Sequence, residues 1–229
     1  MISVIIPALN EAARLPGLLA QLRAEPALHE IVVSDGGSSD NTPGLAMGER
    51  TIVLTAPLGR GQQLAAGVTQ ASGDVLLFLH ADTIFPPGGL AAIQQALTTN
   101  PAAPGGNFRL LFDGDDGFSR WLEGFYGWIR RRGVYYGDSG IFIRRHVYDA
   151  IGGIPPIALM EDFDLVRRLE RVGPTLCIDS PPLVTSSRRF AGRGPASIVA
   201  GWLRLHLLYL LGTAPGRLAA LYDSERRRG

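Results

Sequence analysis

Through residues 1–100, short β-branched runs alternate with stretches of helical periodicity, the pattern of strand–helix repeats that builds a parallel sheet. The runs Ile2–Pro7, Glu30–Ser34, Thr51–Thr55 and Val75–Leu79 are predicted strands. Between them lie predicted helices at Ala12–Leu22, with Leu15, Leu18, Leu19 and Leu22 on one face, at Gln62–Gln70 and at Leu90–Leu97. Beyond Pro101 the pattern becomes mixed, with a strand at Asn107–Phe112, an aromatic helix at Phe118–Ile129 and a strand at Gly140–Arg144. A helix at Asp162–Val172, strands near Leu176–Ile178 and Leu183–Ser187, and Leu-rich helices at Ala196–Leu211 and Arg217–Tyr222 follow. The expected class is α/β: one domain over 1–229, with a mostly parallel, Rossmann-like sheet flanked by helices and closed by C-terminal helices at 195–223.

A chain of 229 residues, 46% hydrophobic, can bury one substantial core. The net charge of +1 hides an asymmetry: residues 1–115 carry five Arg against ten carboxylates, and residues 116–229 seventeen Arg against eleven. All 22 basic residues are Arg, so any phosphate is held by guanidinium forks or backbone amides. An acidic front half without interleaved basic and aromatic strand positions argues against a nucleic-acid partner. The lone Cys177, in a Val/Leu/Ile-rich stretch, is expected to be a small buried hydrophobe in a reducing compartment. The N-terminal apolar run lacks a charged flank and stops at Pro7, too short for a signal peptide or a span, so a cytoplasmic location is expected.

Open α/β sheets bind ligands at the carboxyl ends of their strands. There this chain has Pro7-Ala8-Leu9-Asn10-Glu11 after the first strand, Asp35-Gly36-Gly37-Ser38-Ser39-Asp40-Asn41-Thr42 after the second, and His80-Ala81-Asp82 after the fourth. Asn10, Asp40 and Asn41 also suit plain helix caps. Asp35, placed between an apolar run and two glycines, can accept hydrogen bonds from a base where backbone can approach a ligand. Gly59-Arg60-Gly61-Gln62-Gln63-Leu64 is a glycine-rich turn opening a helix; with Leu64 in place of a third glycine it fails as a dinucleotide fingerprint. Glu161-Asp162-Phe163-Asp164 brings three carboxylates to a helix start, where they can complement the helix dipole or act on a substrate. Trp121, Phe125, Tyr126 and Trp128 at helical spacing read as core, and Arg130-Arg131-Arg132 as a solvated face or a helix C-terminus.

The three strand-end clusters, in this order, resemble glycosyltransferase family 2, and the resemblance covers nearly the whole chain. Within it, Phe78-Leu79-His80-Ala81-Asp82-Thr83 and Tyr136-Gly137-Asp138-Ser139-Gly140 are most similar to the small stand-alone rSAM/selenodomain-associated transferase 2 group. The resemblance implies a GT-A fold with a nucleotide-binding half at 1–100 and an acceptor half at 101–190. It implies an inverting transfer of a sugar from a nucleotide diphosphate sugar, a UDP-sugar by similarity, to a hydroxyl acceptor. Pro7, Ala8, Asn10, Glu11 and Ala81 would border the nucleotide, Asp35 would face the base, and Arg60 and Gly61 would lie against base or phosphate. His80-Ala81-Asp82 stands where the family has Asp-x-Asp, so Asp82 would hold a divalent cation, with His80 as a ligand or a neighbour of the ion. An imidazole there leans toward Mn²⁺ without excluding Mg²⁺. Asp162 would be the base and Glu161 its supporting partner, with Gly137, Asp138, Ser139, Arg188 and Arg189 on the donor-sugar and acceptor side.

A nucleotidyltransferase on a similar sheet, or a nucleotide-sugar-binding protein without activity, are the alternatives. The former should show a basic glycine-rich signature after the first strand, which is missing here. The helix Ala196–Leu211 is apolar on nearly every side and too short to span a bilayer. Together with Arg217–Tyr222 it is expected to expose an apolar patch for a homodimer or for peripheral contact with the inner face of a membrane, where a lipid-linked acceptor would be found.

Overall fold

The computed structural model describes residues 1–187 and 194–226; Arg188 and Arg189 lie outside them. Seven strands form one sheet: β1 (Ile2–Ala8), β2 (Leu28–Asp35), β3 (Thr51–Thr55), β4 (Val75–Phe78), β5 (Gly105–Phe112), β6 (Ile141–Arg144) and β7 (Leu176–Thr185). Their spatial order is β3-β2-β1-β4-β6-β5-β7. The first four pair in parallel, β6 runs antiparallel to β4 and β5, and β7 is parallel to β5.

The sheet is covered on both faces, which is why its central strands are apolar at nearly every position. On one side Val4 and Ile6 of β1 pack with Leu15, Leu19 and Leu22 of α1 (Leu15–Arg23) and with Leu90, Ile93 and Leu97 of α4 (Gly89–Thr99). On the other, Ile5 and Val32 meet Leu64 and Val68 of α3 (Arg60–Gln70), Tyr148 of α6 (Arg145–Ala150), and Leu165 and Leu169 of α7 (Glu161–Val172). Each such leucine withdrawn from water contributes about 1.5–3 kcal/mol before chain entropy is charged against it. A short α2 (Thr42–Ala46) follows β2.

The remaining helices build a lobe against the carboxyl-side end of the sheet. Leu122 and Tyr126 of α5 (Gly117–Arg130) pack with Phe112 and with Ile198 of α8 (Pro195–Leu210). Met160 and Phe163 at the start of α7 pack with Leu205 of α8 and Leu218 of α9 (Pro215–Arg226).

Several elements depart from the sequence expectation. Helix α1 starts at Leu15 rather than Ala12, because Pro16 supplies a ready first turn and Arg14 and Leu15 close back on the Glu11 carbonyl. The two strands expected on either side of Pro181-Pro182 are one strand, with a register shift opposite Phe108–Leu110. A sheet edge tolerates such residues, since a missing N–H there leaves no inner ladder open. Cys177 is exposed on that edge strand, not buried. Trp121 and Trp128 are also exposed, so of the α5 aromatics only Tyr126 is fully core. The Arg130-Arg131-Arg132 run does close α5, with Arg131 and Arg132 exposed, but the Arg130 guanidinium is not solvated: it donates to Asn107 Oδ1 and, at 3.1 and 2.9 Å, to the carbonyl and hydroxyl of Thr175.

Candidate active site

Register brings the first two clusters together. Pro7 pairs with Ser34 and Ala8 with Asp35, and the Gly36 N–H donates to the Ala8 carbonyl at 2.9 Å. The buried Gln63, reaching down from α3, locks these strand ends by donating to both the Ala8 and Ser34 carbonyls at 2.8 Å. Asp35 is buried, and its Oδ2 accepts the Gly37 and Ser38 N–H groups at 3.0 Å. Asn10 does not cap α1: it sits at φ 54° and its Oδ1 accepts the Ser39 N–H at 2.8 Å. Asp40 accepts the Thr42 N–H at 3.0 Å and the Ala12 N–H at 3.2 Å, while the Glu11 N–H donates to Thr42 Oγ1 at 2.9 Å. Hydrogen bonds from the Thr42 hydroxyl, and then from backbone amides, hold the Asp40 carboxyl below the ordinary aspartate range. The two post-strand loops are thus stitched into one platform.

The glycine-rich turn before α3 is spent on packing. A Cβ on Gly61 would stand 2.5 Å from the Ile157 carbonyl oxygen and 2.6 Å from that of Pro155, and Gln62 donates to the Pro156 carbonyl at 3.0 Å. This contact directs Arg60 at the start of α7, where its Nε donates to Glu161 and its Nη2 lies 3.7 Å from Asp162 Oδ2. Burial works against the guanidinium charge, but the two carboxylates outweigh it and raise its pKa.

Glu161 and Asp162 follow Met160, a buried residue in the left-handed region at φ 71°, a conformation that costs a non-glycine residue about 1–3 kcal/mol and is held by the α8–α9 packing. Glu161 has no exposed surface; burial raises its pKa against the pull of Arg60, and among the described residues its Oε2 has no hydrogen-bond partner. Asp162 faces a cleft instead. Its Oδ2 accepts the Gly137 N–H at 2.9 Å and its Oδ1 the Phe163 N–H at 2.8 Å. Burial alone would raise its pKa, but Arg60 and the Gly137 amide prevail and lower it, so a carboxylate is present. Asp164 lies outside this group, paired with Arg168 at 2.7 Å.

That cleft, of about 410 Å³, is lined at one end by Arg60, His80, Asp138 and Asp162. Asp138 reaches it from the 3-10 turn Gly137–Ser139, where a Cβ on Gly137 would be 3.0 Å from His80 Nε2 and 3.3 Å from Asp162 Oδ2, so glycine is what lets those groups converge. Asp138 accepts from the Tyr126 hydroxyl at 3.2 Å, and Ser139 Oγ donates to the Tyr136 carbonyl at 2.6 Å. Burial, reinforced by Arg60, lowers the His80 pKa to about 4 and leaves a neutral imidazole at neutral pH. Asp82, half-buried one turn beyond, follows the buried Ala81. Among the described residues no group of three or more His, Cys, Asp or Glu could cage a metal ion. His80 and Asp82 offer one neutral nitrogen and one carboxylate, a donor set that suits a cation only if a ligand's own oxygens complete the shell. The structure brings Asp162, Glu161, Arg60, His80, Gly137 and Asp138 together; Asn10, Glu11 and Asp35 lie on the neighbouring platform and do not line the cleft.

Sequence reasoning missed the far wall of the cleft, where the Tyr136 hydroxyl meets His206 Nε2 at 2.9 Å and His206 Nδ1 the Trp202 carbonyl at 2.8 Å. In the sequence His206 is only a polar residue within the otherwise apolar run 196–211. The role of Gln63 carried no signal at all.

A sheet of this order, with its polar clusters at the carboxyl ends of β1, β2 and β4, has the GT-A architecture. The mannosyltransferase PcManGT from Pyrobaculum calidifontis, solved in complex with GDP-Man and Mn²⁺, superposes with a TM-score of 0.67 at 19% identity over 98% of this chain and 68% of that one. Glucosyl-3-phosphoglycerate synthase from Mycobacterium tuberculosis, in complex with Mn²⁺, UDP and glucosyl-3-phosphoglycerate, gives 0.64 at 19% identity over 93% and 80%. The family model for glycosyl transferase family 2 matches residues 3–152, more than half of the chain, and the chain belongs to that family. Undecaprenyl-phosphate 4-deoxy-4-formamido-L-arabinose transferase of Yersinia pestis (strain Pestoides F) is 34% identical over 98 residues, 38% of this chain and 30% of that protein. The chain therefore spans under a third of the length of such curated relatives in the match.

Proposed function

We propose that the chain transfers a sugar, with inversion, from a nucleotide diphosphate sugar to an acceptor hydroxyl, and that the donor is a UDP-sugar. The observation that carries this is the convergence of Asp162, His80, Asp138 and Arg60 on one cleft beside the β1–β2 platform. Asp35 accepts from the base on that platform, with Pro7, Ala8, Asn10, Glu11 and Ala81 bordering the nucleotide. Arg60 and Gly61 lie toward base or phosphate, and Gly137, Asp138 and Ser139 on the donor-sugar and acceptor side. The acceptor oxygen bonds to the anomeric carbon as the bond to the diphosphate breaks, its electron pair leaving with the diphosphate. Asp162 takes the hydroxyl proton, and Glu161, through Arg60, fixes the charges around it. Asp82, with His80 beside it, would hold Mn²⁺ or Mg²⁺, which supplies neutralisation of the leaving diphosphate.

The features shared with the rSAM/selenodomain-associated transferase 2 group support assignment to it. The working location is the cytoplasm, at the inner face of a membrane, contacted through residues 196–222.

Nucleotide sugars screened by thermal shift with and without Mn²⁺ test this reading. A UDP-sugar should raise the midpoint, more with the ion, by up to about 2.7 kcal/mol of added stability at a hundredfold excess over Kd. Asp82→Ala should lose the Mn²⁺-dependent part of the shift and of donor turnover. A screen in which no nucleotide sugar moves the midpoint overturns the proposal.

A further inference from the structure

The structure assigns the apolar part of the cleft to the body of the acceptor: resting on the reading of Asp162 as base, we propose that the acceptor is an alcohol carried on a hydrocarbon chain. The hydroxyl end of the cleft, at Asp162, is polar. Its remaining wall is built largely from Leu159, Phe163, Val199, Trp202, Leu203 and Leu205.

Two polar side chains of that wall, Tyr136 and His206, are committed to one another. Tyr136 bonds His206, and His206 bonds the Trp202 carbonyl. The ring of Tyr136 stacks on Phe163, with centroids 6.3 Å apart and planes 22° apart, and presents its carbon face there. A sugar or another polyol buried against this wall would exchange its water for side chains that have few donors to offer. A hydrocarbon chain loses nothing on entering and gains by leaving water.

The apolar surface continues beyond the mouth. Leu203 is 66% exposed at the rim, and Leu207 and Leu210 of α8 stand outside it. On the α5 side, Phe125 lines the cleft and stacks between Trp121 and Trp128, at 5.3 and 6.1 Å. A chain longer than the cleft would find a continuing apolar track rather than water.

The chain has three Trp residues, so replacing Trp121 and Trp128 by Phe leaves Trp202 as a reporter inside the cleft. Titration with n-decanol should change its emission saturably, while glycerol at the same concentrations should not. Val199→Glu, and separately the rim variant Leu203→Glu, which alters an exposed position and spares the fold, should each weaken n-decanol binding at least tenfold. Calorimetry of UDP with Mn²⁺ on the wild-type chain reads the donor side independently. UDP binding without an n-decanol response, an equal response to glycerol, or unchanged n-decanol affinity in Leu203→Glu overturns the hydrocarbon acceptor while leaving the transferase reading intact. An n-decanol response without UDP binding removes the donor reading instead.

Discussion

Glu161 and Asp162 are adjacent and acidic, yet one is sealed against Arg60 while the other opens toward the cleft with an amide hydrogen bond to hold it ionised. Their motif picks them out in the sequence; their division of labour depends on which way each side chain leaves the first turn of α7. A base in proton transfer is worth about 10²–10⁴-fold, so Asp162→Asn should lower kcat by that factor with UDP affinity nearly unchanged. Glu161→Gln should act through the fold, removing the nearer of the two carboxylates that pair with Arg60 and costing about 1–3 kcal/mol, as a Tm measurement would show. A Glu161→Gln variant of normal Tm and collapsed kcat would exchange the two roles. His80 illustrates the reverse case: its neutrality follows from burial and Arg60, neither of which is legible around position 80 in the sequence.

At the scale of elements, the strand pattern was readable because β1 to β4 are short, β-branched and bounded by turn residues. The errors fell where tertiary contacts override local preference: β7 runs through two prolines because it lies at an edge, and Asn10 forgoes capping α1 to join the second loop. The start of α3 shows how elements place the site. A side chain at Gly61 must push the 155–157 backbone away and draw Arg60 off the α7 carboxylates. Gly61→Ala should therefore cost about 1–3 kcal/mol by overpacking and reduce turnover as well. Gly17, inside α1 with nothing within 4 Å of where a Cβ would stand, is the control: Gly17→Ala should stabilise by up to about 1 kcal/mol. Denaturant unfolding of both variants decides the matter, and a neutral Gly61→Ala would mean that the α3–loop contact yields without consequence.

For the molecule as a whole, the C-terminal helices were expected to expose an apolar patch together. Helix α8 does so, with Leu203, Leu207, Leu210 and Leu211 each more than half exposed, whereas α9 turns Leu218 inward and caps the lobe. No helix among the described residues is long and apolar enough to cross a membrane. The exposed leucines of α8, and on α5 the exposed Trp121 and Trp128 with Arg132 over the Trp128 ring at 3.9 Å, are the kind of side chains that suit contact with an anionic bilayer. The chain should co-sediment with phosphatidylglycerol vesicles at low salt, and Leu207→Gln combined with Leu211→Gln should weaken that several-fold. A dimeric solution mass lost in the same double variant, with no vesicle binding by the wild type, would give the face to a second copy instead.

The sequence by itself determined the class of the molecule: the β-branched runs fix a parallel sheet, and the polar residues that end them fall at the ligand-binding edge for topological reasons. It also marked Asp35, Asp82 and the Glu161-Asp162 pair, since motifs survive as strings of neighbours. Only the tertiary structure decided which of these residues meet. Arg60 and Glu161 are 101 positions apart, and Tyr136 and His206 are 70 apart. Such pairings arise when α3, α7 and α8 are packed against a common sheet, and they decide which carboxylate faces the cleft and what sort of surface lines it. Neither hydrophobic periodicity nor local spacing carries that information, because both describe residues close along the chain.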